Sequence, residues 1–285
     1  LSKISSNPFE YSMSTVKSAF HSIVDRVSSR KIFDIKTELQ DKTKEIRYSR
    51  KDEELNTMAK EITKQQIEQL KQYTSPEISD TIKGMGVRSM TDGYMGYDIR
   101  CMFPDLGPMI GYAVTAVLDN LTPNRPVFKE VQRRYLESID ASPKPAVIVM
   151  KAGGHDKTRS LVFGGLMANT ANALGAHGLI TDGGVRDPDD VHDIGFHMFA
   201  PGTVPAHGTG AFVNMVDTGN PVNISGQLIH PGDLIFADKI GIITIPIDII
   251  DELPAKIEEL HTKEANLMAY LQSKEFSLEG LLKKS

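Results

Sequence analysis

All 23 glycines of this 285-residue chain lie beyond residue 75, the first being Gly84, and Pro8 is the single proline before that point. A long stretch without glycine and nearly without proline reads as helix; glycine-rich sequence reads as strands joined by tight turns. The charge divides at the same place. Residues 1–75 carry 14 Lys+Arg against 11 Asp+Glu, net +3, and the remainder carries 18 against 26, net −8. The sequence therefore predicts a charge-mixed helical extension over residues 1–62 and a turn-rich domain over 63–285. The extension holds no recognisable chemistry and reads as an arm packing on the domain or on a neighbouring subunit.

The domain has a well-marked entrance. Thr63-Lys64-Gln65-Gln66 spells a capping box, and Ile62 and Ile67 stand where a hydrophobic staple would form. Ser75-Pro76 predicts an N-cap and a proline in the first turn of a second helix ending near Gly84. Ile110–Leu118 and Ala146–Met150 are short apolar runs bounded by Gly or Pro, hence strands, and residues 126–140 between them look helical. A helix over Leu166–Leu174, a strand over Gly178–Asp182, a short helix from Asp187-Pro188 and a strand over Phe196–Ala200 follow. That alternation predicts an α/β fold with parallel strands. Two strands, Leu234–Ala237 and Ile242–Ile245, and a long helix over 250–272 close the domain.

Composition removes several classes of function. At 40% hydrophobic and 24% charged residues the chain can bury a substantial core. Its most apolar stretch, Leu234–Ile250, is interrupted by Asp238, Lys239 and Asp248, so no membrane span is expected. A net charge of −5 argues against non-specific nucleic-acid binding. A lone cysteine, Cys101, excludes an internal disulfide framework and fits a reducing, cytoplasmic setting. Because the first residue is Leu1, further residues are expected to precede it. Asp25 and Asp34 interrupt the Ser/Lys/Arg-rich segment 16–33, so it does not read as a targeting peptide.

Three places could carry chemistry. Gly164-Gly165-Leu166-Met167 leads into a helix, whose first backbone N–H groups would face a carboxylate or phosphate; the same glycines would also serve close packing alone. Thr181-Asp182-Gly183-Gly184-Val185-Arg186-Asp187 follows the C-terminal end of a strand, the usual ligand rim of α/β folds. There Arg186 can grip a carboxylate or an oxyanion. Asp187 can offer a hard oxygen to a magnesium-like ion, cap the helix begun by Pro188, or do both. Asp182 reads as an acid that shapes the loop. Glu264 completes an otherwise apolar stripe of Leu253, Ile257, Leu260, Leu267 and Leu271, where a carboxylate is costly unless paired, used, or able to reach solvent from the edge. His155, His207 and Cys101 lack partners at useful spacing, and neither a P-loop nor a nucleophile elbow is present.

Taken together, these motifs resemble the RraA-like family, which includes divalent-metal-dependent 4-hydroxy-4-methyl-2-oxoglutarate aldolases. The likeness rests on Gly164–Ala168, on Gly175–Asp187, on His230-Pro231-Gly232-Asp233, on Ala237–Gly241 with Ile245-Pro246, and on Gly111–Thr115; it spans about residues 64–275. It implies a swivelling β/β/α sandwich, self-association as a trimer or hexamer, and active sites between subunits. It implies that Asp187 holds Mg²⁺ or Mn²⁺, that Arg186 contacts a small 2-oxo acid and stabilises its enolate, and that the amides of Gly164, Gly165, Leu166 and Met167 bind its carboxylate. Glu264 would be the acid contributed by a neighbouring subunit. The expected activity is cleavage of a C–C bond in a 2-oxo dicarboxylic acid, as a 4-hydroxy-2-oxo acid aldolase, an oxaloacetate decarboxylase, or both. One departure stands out. The aldolases carry an acid twenty-one positions before the arginine, where this chain has Gly165. The alternative is a non-catalytic regulatory or binding protein of the ribonuclease-regulator type, a branch that tends to lose the aspartate present here as Asp187.

Overall fold

The computed structural model describes residues 61–122, 128–206 and 215–284. The helical extension expected over 1–62 lies outside them save for its last two residues, as does His207.

Thr63 caps α1 (Lys64–Leu70) through the expected capping box: the Gln66 amide donates to Thr63 Oγ1 at 3.2 Å and the Thr63 amide to Gln66 Oε1 at 2.7 Å. Ile62 and Ile67 are both buried in one apolar cluster. For α2 (Ser75–Gly84) the cap differs from the expectation. Thr74 holds the N-cap position, paired with Glu77, and Ser75 lies inside the helix. Ser75 has another task. Its amide and hydroxyl donate to Asp238 Oδ2 and Oδ1 at 2.7 and 2.8 Å. Asp238 Oδ1 also accepts from the amides of Ile240 and Gly241. One buried acid thus closes its own turn and fastens α2 to it.

The main sheet is mixed. In chain order its strands are β1 (Arg100–Cys101), β2 (Met109–Leu118), β3 (Ala146–Ala152), β5 (Ala176–Thr181), β7 (His197–Ala200), β8 (Met215–Thr218), β11 (Leu234–Ala237) and β12 (Ile242–Ile245). Across the sheet the order is β1-β7-β5-β3-β2-β11-β12. β2, β3, β5 and β7 run parallel, and their neighbours are antiparallel. β2 uses one edge twice, pairing with β11 over Met109–Tyr112 and with β8 over Ala116–Leu118. Two small sheets complete the fold: β4 (Leu161–Phe163) with β6 (Gly184–Val185), parallel, and the hairpin of β9 (Val222–Ile224) with β10 (Gln227–Ile229).

Parallel strands buried on both faces need continuous apolar sequence, and β3 supplies it. Ile148 and Met150 face one apolar cluster, Val147 and Val149 another, all fully buried. Each such side chain contributes roughly 1.5–3 kcal/mol of transfer free energy. The first cluster is covered by α3 (Lys129–Ala141), α4 (Gly165–Ala173) and α5 (Pro188–Asp193), which bury Tyr135, Ile139, Ala168, Ala171 and Val191 there. On the outer strands β11 and β12, α1, α2 and the long α6 (Leu253–Leu271) pack through Ile78, Leu253 and Ile257; a short α7 (Leu278–Lys284) follows. The His230–Asp233 motif is structural. Gly232, at φ +85°, donates to Ala113 O at 2.8 Å while Asp233 O accepts from the Ala113 amide at 2.9 Å, docking the turn on β2.

Candidate active site

The two glycine-bearing segments singled out by sequence meet because β4 and β6 pair. The Gly184 amide donates to Ser160 O at 2.7 Å and the Arg186 amide to Phe163 O at 3.0 Å. β4 then runs through Gly164 into α4, and β6 through Arg186 and Asp187 into α5. The two strand ends therefore deliver a helix N-terminus, a guanidinium and a carboxylate to one corner.

Asp187 is the pivot of that corner. Its backbone is left-handed, φ 57° and ψ 45°, a region that Asp and Asn occupy far more readily than other non-glycine residues. It holds the N-cap position of α5, and its carbonyl accepts from the Val191 amide at 3.1 Å. Its side chain, however, does not cap α5. Oδ2 instead accepts from the amide of Gly165, first residue of α4, at 3.0 Å, and from Arg186 Nε at 3.2 Å. The expected capping role is thus transferred to the neighbouring helix, because the left-handed turn aims the carboxylate away from its own. Oδ1 has no hydrogen-bond partner among the described residues, and the side chain is 36% exposed. Arg186 is anchored at its far end, Nη1 donating to Ala206 O at 3.3 Å.

The glycines have separate reasons. A Cβ on Gly164 would lie 2.9 Å from Asp187 Oδ2 and 3.0 Å from Arg186 Cγ and Nε, so any side chain there pushes the pair apart. At Gly165 the nearest atoms, Asp187 Cβ and Oδ2, would be at 3.5 and 3.6 Å, an ordinary contact. The absence of an acid at 165 is therefore not forced by space. Beyond Gly165, the amides of Leu166 and Met167 have no acceptor among the described residues, which leaves N–H groups at the positive end of α4 for an anion.

Gly164, Gly165, Leu166, Met167, Arg186 and Asp187 thus come together. Glu264 does not join them within the chain. It sits on the exposed half of α6, between buried Ile257 and exposed Leu267 and Leu271, with no hydrogen bond or ion pair among the described residues. Asp182 shapes the loop, as expected: its buried carboxylate accepts from the Ala152 amide at 2.7 Å and pairs with Lys157. His155 is exposed. The Cys101 thiol is pushed up by burial, which keeps it a thiol. Sequence reasoning missed Lys157, an ordinary loop lysine whose partner is distant in sequence. It also missed Asn120 and Ser160, hydrogen-bonded to each other at 3.1 Å, with the Asn120 amide also donating to Leu161 O at the start of β4. Asp119-Asn120 directly after an apolar strand was the one available signal.

This is an α/β fold with an arginine-aspartate pair set at a helix N-terminus. The RraA-like (Aldolase/RraA) family model matches residues 75–244, more than half of the chain, and the chain belongs to that family. An uncharacterised protein of Methanocaldococcus jannaschii is 30% identical over 124 residues, 44% of this chain and 59% of that one. A candidate 4-hydroxy-4-methyl-2-oxoglutarate aldolase of Halalkalibacterium halodurans is 31% identical over 107 residues, 38% of this chain and 49% of its own. The chain therefore spans about half the length of these relatives. Among solved structures, RraAS2 of Streptomyces coelicolor, an unusual member of the RNase ES inhibitor RraA family, superposes with a TM-score of 0.55 at 21% identity. That match covers 73% of this chain and 98% of the other, a likeness of fold.

Proposed function

We propose that this protein is a divalent-metal-dependent lyase that cleaves a C–C bond of a 2-oxo dicarboxylic acid through a pyruvate enolate. The observation that carries the reading is the Arg186–Asp187 pair locked at the N-terminus of α4 with Asp187 Oδ1 uncommitted. Relatives named as candidate aldolases point the same way.

The donor set suits a hard cation that keeps most of its waters, with Asp187 Oδ1 as the protein oxygen and the substrate completing the shell. Among the described residues no cluster of three or more His, Cys, Asp or Glu offers a fuller cage. When bound, Mg²⁺ or Mn²⁺ would supply Lewis-acid polarisation of the 2-oxo group. The chain's own groups do the rest. The Leu166 and Met167 amides hold the substrate carboxylate, and the α4 dipole favours its charge. In oxaloacetate the C3–C4 bond breaks, CO₂ leaves, and the electron pair passes to the C2 oxygen. Arg186, held by Asp187 and Ala206, stands ready to stabilise that developing oxyanion without reorganising. Protonation at C3 then gives pyruvate. A 4-hydroxy-2-oxo acid would follow the same course with a carbonyl product in place of CO₂, once a base takes the 4-hydroxyl proton.

In this reading Glu264 is contributed to a neighbouring copy's site. The exposed Leu267, Met268 and Leu271 around it give that half of α6 an apolar surface for a trimer or hexamer to cover. Among the described residues no helix is long and apolar enough to cross a membrane. We assign the protein to the cytoplasm, with neither membrane nor nucleic acid as a partner.

The test is pyruvate release from oxaloacetate and from a 4-hydroxy-2-oxo diacid, with and without Mg²⁺ or Mn²⁺. Metal-dependent release abolished in Asp187→Ala is the expected result. No turnover of either substrate, with no effect of Asp187→Ala on metal-induced stabilisation, sinks the reading. The second reading, a binding or regulatory protein, is favoured by Gly165, which leaves an open position where the aldolases place an acid. Tight binding to a ribonuclease without turnover would establish it.

A further inference from the structure

The proposed chemistry uses neither Asp182 nor Lys157, yet the two form the most desolvated ion pair near the site. The Asp182 side chain is 1% exposed, while Lys157, from the loop between β3 and β4, is 54% exposed and brings Nζ to within 2.7 Å of Oδ2. The approach is a charge contact rather than an aligned hydrogen bond, since Oδ2 has no hydrogen-bond partner among the described residues. Oδ1 is committed to the Ala152 amide, at the end of β3. A carboxylate this deeply buried is costly without a counter-charge, so Lys157 is not a casual surface partner.

The position of the pair in the chain gives it a role. Lys157 precedes Ser160, where the β4–β6 ladder begins, and Asp182 precedes Gly183-Gly184 at the start of the opposing strand. Beyond this point β4 leads into Gly164 and Gly165, and β6 into Arg186 and Asp187. The ladder is short and both its edges matter: a slip in its register would separate the Gly165 amide from Asp187 Oδ2. We infer that the Lys157–Asp182 ion pair is a clasp at one end of this two-stranded ladder and that Lys157 is a positioning residue for the Arg186–Asp187 pair at the other. The catalytic part of this inference rests on the lyase reading above; the structural part does not.

Two measurements on the full-length protein separate these parts. The first is hydrogen–deuterium exchange read by mass spectrometry over residues 158–166 and 183–188, with β3 as the internal reference. In Lys157→Met both segments are expected to exchange about tenfold faster while β3 stays at the wild-type rate, and Lys157→Arg is expected to restore protection. Unchanged exchange in both segments of Lys157→Met, or equal acceleration in β3, overturns the clasp. The second is oxaloacetate decarboxylation with Mn²⁺. Lys157→Met is expected to lower kcat/KM at least tenfold through kcat, as misplacement of a reacting group does, and Lys157→Arg to recover it. Wild-type kcat/KM in Lys157→Met overturns the positioning role. If the wild-type protein does not turn over at all, the lyase reading falls, and the exchange experiment still decides the clasp.

Discussion

The carboxylate of Asp187 accepts a hydrogen bond from the amide of Gly165, so an acid at the start of one helix caps the preceding helix instead of its own. The fold spends its pivotal acid on a junction between two loops. Removing that acid has consequences for both.

Asp187→Ala deletes the cap on α4 and leaves Ala in a left-handed turn. A loss of about 1–2 kcal/mol is expected for the cap together with the backbone. Asp187→Asn keeps both the turn preference and an oxygen for the Gly165 amide, so it should unfold within about 0.5 kcal/mol of wild type. Neither variant should retain a Mn²⁺-induced rise in Tm. Denaturant titrations with and without the metal check both statements; a metal response in Asp187→Asn would place the ion elsewhere.

Gly164 and Gly165 are adjacent, yet they should respond oppositely to a methyl group. Gly164→Ala drives a Cβ to 2.9 Å from Asp187 Oδ2, so it should part the Arg186–Asp187 pair and weaken oxalate binding by tenfold or more, about 1.4 kcal/mol. Gly165→Ala meets nothing closer than 3.5 Å and should be neutral or stabilising by about 0.5 kcal/mol, since Ala outranks Gly in a helix. Calorimetric titration with oxalate and Mn²⁺, beside a Tm for each variant, distinguishes them.

Burial, with the nearby charges of His177 and Lys71, pushes His197 down to about 4, and its Nδ1 is buried without a partner among the described residues. An unfolded histidine titrates near 6.5. Between those values the unfolded chain binds the extra proton. Stability from this residue is therefore complete above about pH 6.5 and is lost as the pH falls toward 4, by about 2 kcal/mol after allowance for solvent screening. Urea unfolding at pH 7 and pH 5 should show a smaller difference for His197→Gln than for wild type. An equal difference would rule out His197 as the source.

Asp238 receives hydrogen bonds from the amide and hydroxyl of Ser75 and from the amides of Ile240 and Gly241. Asp238→Ala orphans these donors in a buried turn and should cost about 3 kcal/mol. Ser75→Ala removes one donor only and should cost about 1 kcal/mol. Equal effects in urea denaturation would show that the link to α2, and not the turn, carries the energy.

The strands Leu234–Ala237 and Ile242–Ile245 were legible because each is an apolar run closed by Gly or Pro turns, and the capping box at Thr63 because its pattern is local. The second helix start was misread by one residue. Ser75 looks like a cap in sequence, but a distant acid, Asp238, claims its hydroxyl. The corner residues Gly164–Met167, Arg186 and Asp187 could be named from their motifs. Their junction could not, since it depends on β4 and β6, strands of three and two residues with too little sequence to show periodicity. The Lys157–Asp182 pair was invisible for the same reason: nothing in a chain announces which loop lysine will meet which buried acid.

The central strand β2 is completed by partners that arrive late: Ala146–Ala152, then Met215–Thr218, and finally Leu234–Ala237. During synthesis its outer edge must wait for more than a hundred further residues to leave the ribosome. Until then it offers an open row of peptide groups on an apolar strand, the surface most prone to pairing with another nascent chain. Translation stalled before residue 234 should therefore yield an insoluble product, and expression of this protein should depend on how quickly the last third of the chain follows β2.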